Sequence, residues 1–164
     1  MKFKKPIGSF VVLTRNNRKE VFLVKRSDFP VWECQGGGIE KGETPKECAI
    51  REAFEETGFK TKLIRKVAEY KSKNAHEVTS HIYEGEYISG EYKPEYSGCD
   101  GKWFKFDKLP SKMTATRKMM INDCLKIDNN LIKKNEIPAI SIQNLHLLIL
   151  LPVESIKYLL KIII

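Results

Sequence analysis

Three glutamates, Glu52, Glu55 and Glu56, stand at helical spacing in the sequence. In a helix, at about 100° per residue, their carboxylates share one face, while Ala53 and Phe54 fall on the opposite side. Like charges at this spacing repel one another and weaken a helix. Carboxylate oxygens are the ligands that divalent cations such as Mg²⁺ prefer. The spacing therefore indicates a site for a hard cation, with a solvated acidic helix face as the alternative.

A run of consecutive glycines, Gly36, Gly37 and Gly38, comes shortly before these acids. Backbone groups that carry no Cβ can approach a metal or a phosphate closely. Glu43 and Arg51 add an acid and a base that could pair and brace the glycines against the following helix. The stretch is too rich in glycine for the interior of a helix or strand, so we predict a loop.

The acidic stretch itself carries strong helix signals. Thr44 is a favourable N-cap, Pro45 suits the first helical position, and Glu47 completes a capping box. Gly58 supplies the C-terminal stop. We therefore predict a two-faced helix between Thr44 and Gly58, with its carboxylates outward and its apolar side inward.

Strands are predicted on both sides of this helix. Runs of β-branched and aromatic residues indicate strands over 7–14, 20–26, 61–73, 78–88 and 102–106. The first two strands flank a short polar turn and form a hairpin, and a loop follows over residues 27–35. A second helix is predicted over residues 113–127. This alternation predicts one layered α/β domain spanning residues 3–130.

Composition narrows the functional classes. The chain has 164 residues, of which 41% are hydrophobic, and a formal net charge of +8. These values predict one folded domain, exclude collagen-like or wholly disordered chains, and indicate an attraction for nucleotides, nucleic acid or acidic membranes. The cysteines form no Cys-x-x-Cys pair, and the apolar run near the N-terminus is too short for a signal peptide. Free thiols and a cytoplasmic location are therefore expected.

Residues 131–164 differ in character from the domain and form a polar linker followed by an apolar, amphipathic C-terminal extension. Charged or helix-breaking residues interrupt the apolar stretch: Pro152, Glu154, Lys157 and Lys161. A transmembrane span, which needs about 20 apolar residues, is therefore not expected. An amphipathic helix is predicted from a stripe of apolar residues: Val153, Ile156, Leu160 and Ile163. Packing on the domain, packing in a homodimer, binding to a membrane surface and poor order stay open as alternatives.

The segment from Gly37 to Phe59 resembles the complete Nudix box, G-x5-E-x7-R-E-U-x-E-E-x-G-U, where U is apolar. Every fixed position matches: Gly37, Glu43, Arg51, Glu52, Glu55, Glu56 and Gly58. So many fixed positions over one short segment make the motif highly specific. The resemblance extends over residues 5–127, through Trp32-x-x-x-Gly-Gly and Trp103-Phe-x-Phe-Asp-x-Leu-Pro110. Gln35 departs from the family pattern, which commonly has proline there.

The resemblance implies an α/β/α sandwich around a mixed sheet, and hydrolysis of a nucleoside diphosphate linked to another moiety. It implies Mg²⁺ or Mn²⁺ as cofactor, with ligands from Glu52, Glu55, Glu56 and the Gly36 carbonyl. The catalytic candidates are Glu52, nominated as the general base, with Arg51 and Glu43. The substrate-binding candidates are Lys25, Arg26, Gly37 and Gly38. The family often adds an acid from a later loop, for which Glu95 and Asp100 are the candidates.

Signatures of individual branches of the family are absent, so a nucleoside triphosphate is the default substrate. An RNA 5′-end pyrophosphohydrolase or an RNA-binding member is the main alternative, because the charge of +8 would favour phosphate contacts. A non-catalytic nucleotide sensor is a second alternative, although such a protein has little need of all three box glutamates. Phe29, Trp32 and Trp103 are candidates for stacking on a base, or else buried aromatics.

Overall fold

The computed structural model describes residues 8–71, 79–126, 130–135, 142–153 and 156. Within these ranges the strands are β1 (Gly8–Arg15), β2 (Glu20–Lys25), β3 (Trp32–Glu33), β4 (Gln35–Gly38), β5 (Lys60–Lys71), β6 (Thr79–Ser89), β7 (Asp100–Lys105) and β8 (Ile132–Asn135). The helices are α1 (Pro45–Thr57), α2 (Ala115–Leu125) and α3 (Leu145–Leu150). Leu160, Ile163 and the outer ends of the predicted strands at 72–73 and 78 lie outside the described residues.

The strands form one mixed sheet in the order β3-β2-β1-β6-β5-β8, with β4 also paired to β1 and β7 to β2. The pairs β1–β6 and β5–β8 are parallel, and the other pairs are antiparallel. The predicted hairpin is confirmed as the antiparallel pair β1–β2. Its turn places Asn16, Asn17 and Arg18 at positive φ, a conformation that asparagine tolerates better than most residues.

Alternate residues of the central strands face two different cores. Val12 and Leu23 lie in one core together with Met120 of α2. Leu13 and Phe22 lie in the other, which includes Phe59, directly after α1. The sheet is therefore covered by a helix on each face, and the expected α/β/α arrangement is confirmed.

Helix α1 begins and ends where its signals predict. Thr44 Oγ1 accepts a hydrogen bond from the Glu47 N–H at 3.3 Å, and Glu47 Oε2 accepts one from the Thr44 N–H at 2.8 Å. Gly58 ends the helix at φ 73°, the left-handed conformation typical of this position. The buried face carries small residues, Cys48, Ala49 and Ala53, so the helix can approach the sheet closely. Phe54, predicted on the inward side, is 55% exposed, so that part of the prediction is wrong.

The glycine segment is a strand, and the predicted loop there is wrong. Strand β4 pairs Gly36 with Phe10 and Gly37 with Ser9 of β1. A Cβ on Gly36 would lie 2.4 Å from the Ser9 carbonyl oxygen. Position 36 therefore requires glycine, because the backbones of β4 and β1 approach each other closely there. The pairing with β1 outweighs the low strand propensity of glycine. Strand β3 likewise lies inside the predicted loop 27–35.

The C-terminal extension contributes β8 beside β5, and α3. Leu147 and Leu151 are buried against Val31. Val153 and Ile156, from the predicted amphipathic stripe, are each 57% exposed. No helix within the described residues is long and apolar enough to cross a membrane.

Candidate active site

Arg51 connects the glycine strand to the acidic face of α1. Its Nε and Nη2 atoms donate to the two carboxylate oxygens of Glu43 at 2.8 and 3.0 Å, and Nη2 also donates to the Gly38 carbonyl at 3.0 Å. Its Nη1 atom donates to Glu52 Oε1 at 2.8 Å and to Glu55 Oε2 at 2.9 Å. The hydrogen bonds from Arg51 lower the pKa of Glu43 to about 2. Glu43 is therefore ionised and holds the guanidinium in one orientation.

Glu52 lies directly over the backbone of β4. A Cβ on Gly37 would stand 2.4 Å from Glu52 Oε1, whereas one on Gly38 would meet no atom within 4 Å. Burial raises the pKa of Glu52, although the hydrogen bond from Arg51 opposes this effect. A carboxyl group with a raised pKa suits the acceptance of a proton near neutral pH.

Glu56 is the most deeply placed of the three acids. Its Oε2 atom is buried and has no hydrogen-bond partner within the described part of the chain. Burial raises the pKa of Glu56 to about 8, and the nearby charge of Glu52 adds to the effect, while the Gly36 N–H opposes it. A buried oxygen that lacks a donor is costly, so this carboxylate is prepared for a cation or a proton.

A cleft of about 300 Å³ opens beside Glu56. Predicted site residues meet in its walls: Lys25, Arg26, Gly36 and Glu56. Glu52, Glu55, Gly37 and Gly38 do not line this cleft and lie on the Arg51 side of β4 and α1. The predicted site residues therefore fall into two groups. Lys25, Arg26 and Glu56 line the cleft, and Glu52 and Glu55 lie beside it in contact with Arg51.

The two cations of the cleft already have anionic neighbours. Arg26 Nε and Nη2 donate to the two carboxylate oxygens of Asp28 at 2.8 and 2.5 Å. Lys25 Nζ lies 3.8 Å from Asp100 Oδ2 and 5.6 Å from the centre of the Trp32 ring. A phosphate bound here would therefore compete with these carboxylates for the two cations.

The two candidate loop acids occupy different places. Glu95 lines the cleft, and its charge adds to the effect of burial in raising the pKa of Glu52 and Glu56. Asp100 lies on β7, where its Oδ2 atom is 3.5 Å from Lys102 Nζ as well as close to Lys25. Of the two candidate acids, Glu95 is the one that lines the cleft.

Glu33 and Tyr96 are among the cleft residues that were not anticipated from the sequence. The Glu33 carboxylate is 17% exposed and lies 3.8 Å from Arg26 and 3.7 Å from Arg117. Tyr96 also lines the cleft and is 63% exposed. Glu33 stands at a variable position of the Trp32-x-x-x-Gly-Gly pattern, so the motif gives it no signal. The predicted stacking candidates lie elsewhere: Trp32 packs on Phe104, Trp103 stacks on Phe59, and Phe29 packs near Val31.

Metal ligation by the three glutamates stays a prediction. Within the described residues, no group of three or more His, Cys, Asp or Glu side chains is arranged to hold a metal ion. The Nη1 atom of Arg51 bridges one oxygen of Glu52 and one oxygen of Glu55. Each of these two carboxylates uses one oxygen in its contact with Arg51, Oε1 in Glu52 and Oε2 in Glu55.

A family model and individual relatives of known sequence agree on the family of this chain. The model of the NUDIX domain matches residues 4–124. A putative 8-oxo-dGTP diphosphatase of Bacillus subtilis is 34% identical over 117 residues, which cover 71% of this chain and 77% of that protein. An RNA pyrophosphohydrolase of Roseobacter denitrificans is 35% identical over 95 residues, which cover 57% of this chain and 56% of that protein.

Solved structures agree on the fold. An ADP-ribose pyrophosphatase from Streptococcus suis superposes with a TM-score of 0.63 at 20% identity, covering 79% of this chain and 99% of that chain. A NUDIX hydrolase from Nitrosomonas europaea gives a TM-score of 0.69 at 16% identity, covering 83% of this chain and 82% of that chain. At these identities the similarity concerns the fold alone.

Proposed function

Because this chain belongs to the NUDIX family, we propose that it hydrolyses a phosphoanhydride bond in a nucleoside diphosphate linked to another group. A nucleoside triphosphate is the default substrate. The observation that carries this proposal is the cleft in which Lys25 and Arg26 share walls with the buried carboxylate of Glu56. Cations suit the phosphates of such a substrate, and a buried carboxylate oxygen without a donor suits a divalent cation beside them. The free thiols of the chain agree with a cytoplasmic location, which stays a prediction.

The residues of this site fit a divalent cation. Glu56 presents a buried oxygen without a donor, and Glu52 and Glu55 add oxygens of the hard type that Mg²⁺ and Mn²⁺ prefer. We propose that these three carboxylates hold the cation, together with the Gly36 carbonyl. Such a cation, when bound, neutralises phosphate oxygens and acidifies water.

The chain's own residues then have separate roles. Lys25 and Arg26 bind the phosphates and exchange their contacts with Asp100 and Asp28 for contacts with substrate. Arg51 keeps β4 and α1 in register through its bonds to Glu43 and Gly38. Glu52, whose pKa is raised by burial, is the proposed acceptor of the proton from water.

A second candidate function is removal of pyrophosphate from the 5′ end of RNA. The similarity to the RNA pyrophosphohydrolase of Roseobacter denitrificans is 35% identity, against 34% for the diphosphatase of Bacillus subtilis. The net charge of +8 also suits a polyanion. A non-catalytic nucleotide sensor is disfavoured, because the chain keeps all three glutamates of the motif.

A substrate panel tests these alternatives. The wild-type protein is incubated with Mg²⁺ or Mn²⁺ and nucleoside triphosphates, nucleotide sugars, dinucleoside polyphosphates or 5′-triphosphorylated RNA, and released phosphate or pyrophosphate is measured. The matched variants are Glu52→Gln and Glu56→Gln, with the exposed Glu86→Gln on β6 as control. We expect activity on one substrate class, which both site variants lose and the control keeps. Equal inactivity of all four proteins, with tight binding of a nucleotide, would establish the sensor instead.

A further inference from the structure

The C-terminal extension packs against a loop whose first residues line the cleft. Residues 142–151 lie beyond the segment matched by the NUDIX model, which ends at residue 124. Leu147 is 5% exposed and Leu151 is 4% exposed, and both pack against Val31, itself 1% exposed. Val31 belongs to the loop 26–31, which joins β2 to β3.

That loop has two faces with different neighbours. Arg26, Ser27 and Asp28 line the cleft, whereas Val31 packs against α3 and Leu151. The loop is short and closed on itself, because the Arg26 N–H donates to the Val31 carbonyl at 3.2 Å. A displacement of Val31 is therefore transmitted to Arg26, one of the two cations of the cleft.

Polar contacts attach the extension at a second place, close to the same strand. Asn144 Oδ1 accepts a hydrogen bond at 2.7 Å from the N–H of Ala115, the first residue of α2. His146 Nε2 lies 3.1 Å from the carbonyl oxygens of both Ser111 and Met113. Between these two residues, the Lys112 carbonyl accepts a hydrogen bond at 2.8 Å from the Trp32 N–H. One segment thus holds both the extension and the strand that follows the loop.

We propose that residues 142–151 brace the loop 26–31 and thereby set the affinity of the cleft for its nucleotide. This inference rests on the proposed function, since it concerns the phosphate-binding wall of the same cleft. The segment is a positioning element, because it acts through Val31 and does not line the cleft. A preformed loop avoids the free-energy cost of ordering Arg26 and Asp28 when substrate binds.

The expected signature is a change in KM without a change in kcat. The brace contacts the loop and the segment before α2, whereas the proposed catalytic acids lie on α1. Loosening Val31 should therefore weaken substrate binding and leave the chemical step unaffected. A purely structural role would lower the amount of active protein instead, and KM would stay constant.

The test compares variants on one helix of the full-length chain. Leu147→Ala removes the buried contact, Leu147→Met preserves most of it, and Ile149→Ala changes a side chain that is 81% exposed. We expect Leu147→Ala to raise KM about five-fold with kcat within about two-fold, and the other two variants to match wild type. If Leu147→Ala does not fold, Leu147→Val carries the same comparison with a smaller expected change.

Hydrogen exchange of the loop provides a readout independent of activity. Amides of residues 26–29 and 31 should exchange faster in Leu147→Ala than in wild type, while amides of α1 keep their protection. Unchanged exchange in the loop, or a loss of kcat at constant KM, would overturn the proposal. Inactivity of the wild type on every substrate would count against the proposed function alone, because the exchange comparison would still decide whether the loop is braced.

Discussion

Gly37 and Gly38 are adjacent glycines of β4 that face different surroundings. A methyl group on Gly37 would collide with the Glu52 carboxylate at 2.4 Å, and one on Gly38 would reach open space. We expect Gly37→Ala to displace Glu52 and lower kcat about 100-fold, the scale seen when a reacting group is misplaced by about 1 Å. Gly38→Ala, whose methyl group meets no protein atom, should lower kcat much less than Gly37→Ala does. Steady-state kinetics on the best substrate of the panel measures both.

The two alanine variants should share the same melting temperature to within a few degrees, since the backbone ladder of β4 is kept in each. Equal kinetics for the pair would show that Glu52 needs no fixed position over Gly37. Its nomination as the acceptor of the proton would then fail.

Glu56 should show opposite effects on stability and activity. Its buried Oε2 atom has no donor in the described chain, so in metal-free protein the carboxylate is held at a cost. We expect Glu56→Gln to raise the free energy of unfolding by about 1 kcal/mol, measured by urea denaturation in EDTA at pH 8. The same variant should lose at least about 100-fold in kcat. A destabilised Glu56→Gln protein would indicate that this acid has a structural partner instead.

Site residues that belong to the motif could be predicted from the sequence, whereas residues brought to the site only by folding could not. Arg51 and Glu43 are predicted to pair because they are an acid and a base beside the glycine run, and the structure joins them by two hydrogen bonds. Glu33 is brought to the cleft by the pairing of β3 with β2. A two-residue strand is too short to show a periodic pattern, so nothing local distinguished this glutamate.

Helices and strands are predicted correctly from local sequence where the element carries its own capping residues. Helix α1 was predicted to its last residue because the capping box and Gly58 are contiguous with it. Strand β4 was missed because its stability comes from β1, about 27 residues earlier in the chain, and not from its own propensity. Strand β8 was missed for the same reason, since its short run of residues gains order from pairing with β5.

The Asp123 side chain connects α2 with β5 and β8. Its replacement tests how much these contacts contribute to the stability of the fold. The carboxylate accepts hydrogen bonds from Tyr70 of β5 at 2.7 Å, from Lys126 at 2.6 Å and from Lys134 of β8 at 2.7 Å. We expect Asp123→Asn to lower the free energy of unfolding by about 2 kcal/mol at pH 7. The exposed Asp107→Asn is the control and should change it little.

The pH dependence of this effect has a defined sign. Burial alone would raise the pKa of Asp123, but the hydrogen bonds from Lys126, Lys134 and Tyr70 outweigh it and lower the pKa. An acid whose pKa is lower in the folded state stabilises the fold above its unfolded value, near 4, and loses that contribution as the pH falls through the folded value. The gap between wild type and Asp123→Asn should therefore narrow in urea titrations below pH 4. A constant gap would place the effect in packing and not in charge.

The chain as a whole has a positive net charge, whereas the carboxylates of the candidate site form a negative cluster. The net charge is +8, yet carboxylates gather on and beside α1, and Lys25 and Arg26 line the same cleft as Glu56. The overall field can raise the encounter rate with any polyphosphate. It does not distinguish a free nucleotide from an RNA end, because both carry the same reactive phosphates.

Salt dependence can distinguish them. For a single strand, the logarithm of affinity falls with the logarithm of salt concentration by about 0.7 per phosphate contacted. If the cleft holds only the terminal nucleotide, as the default substrate requires, kcat/KM for a nucleoside triphosphate and for 5′-triphosphorylated RNA should fall with equal slopes between 50 and 200 mM salt. A slope steeper by about 1.4 or more for the RNA would mean that at least about two further phosphates contact the surface. That result would indicate that the 5′ end of RNA is the substrate and that the positive charge of the protein binds the RNA backbone.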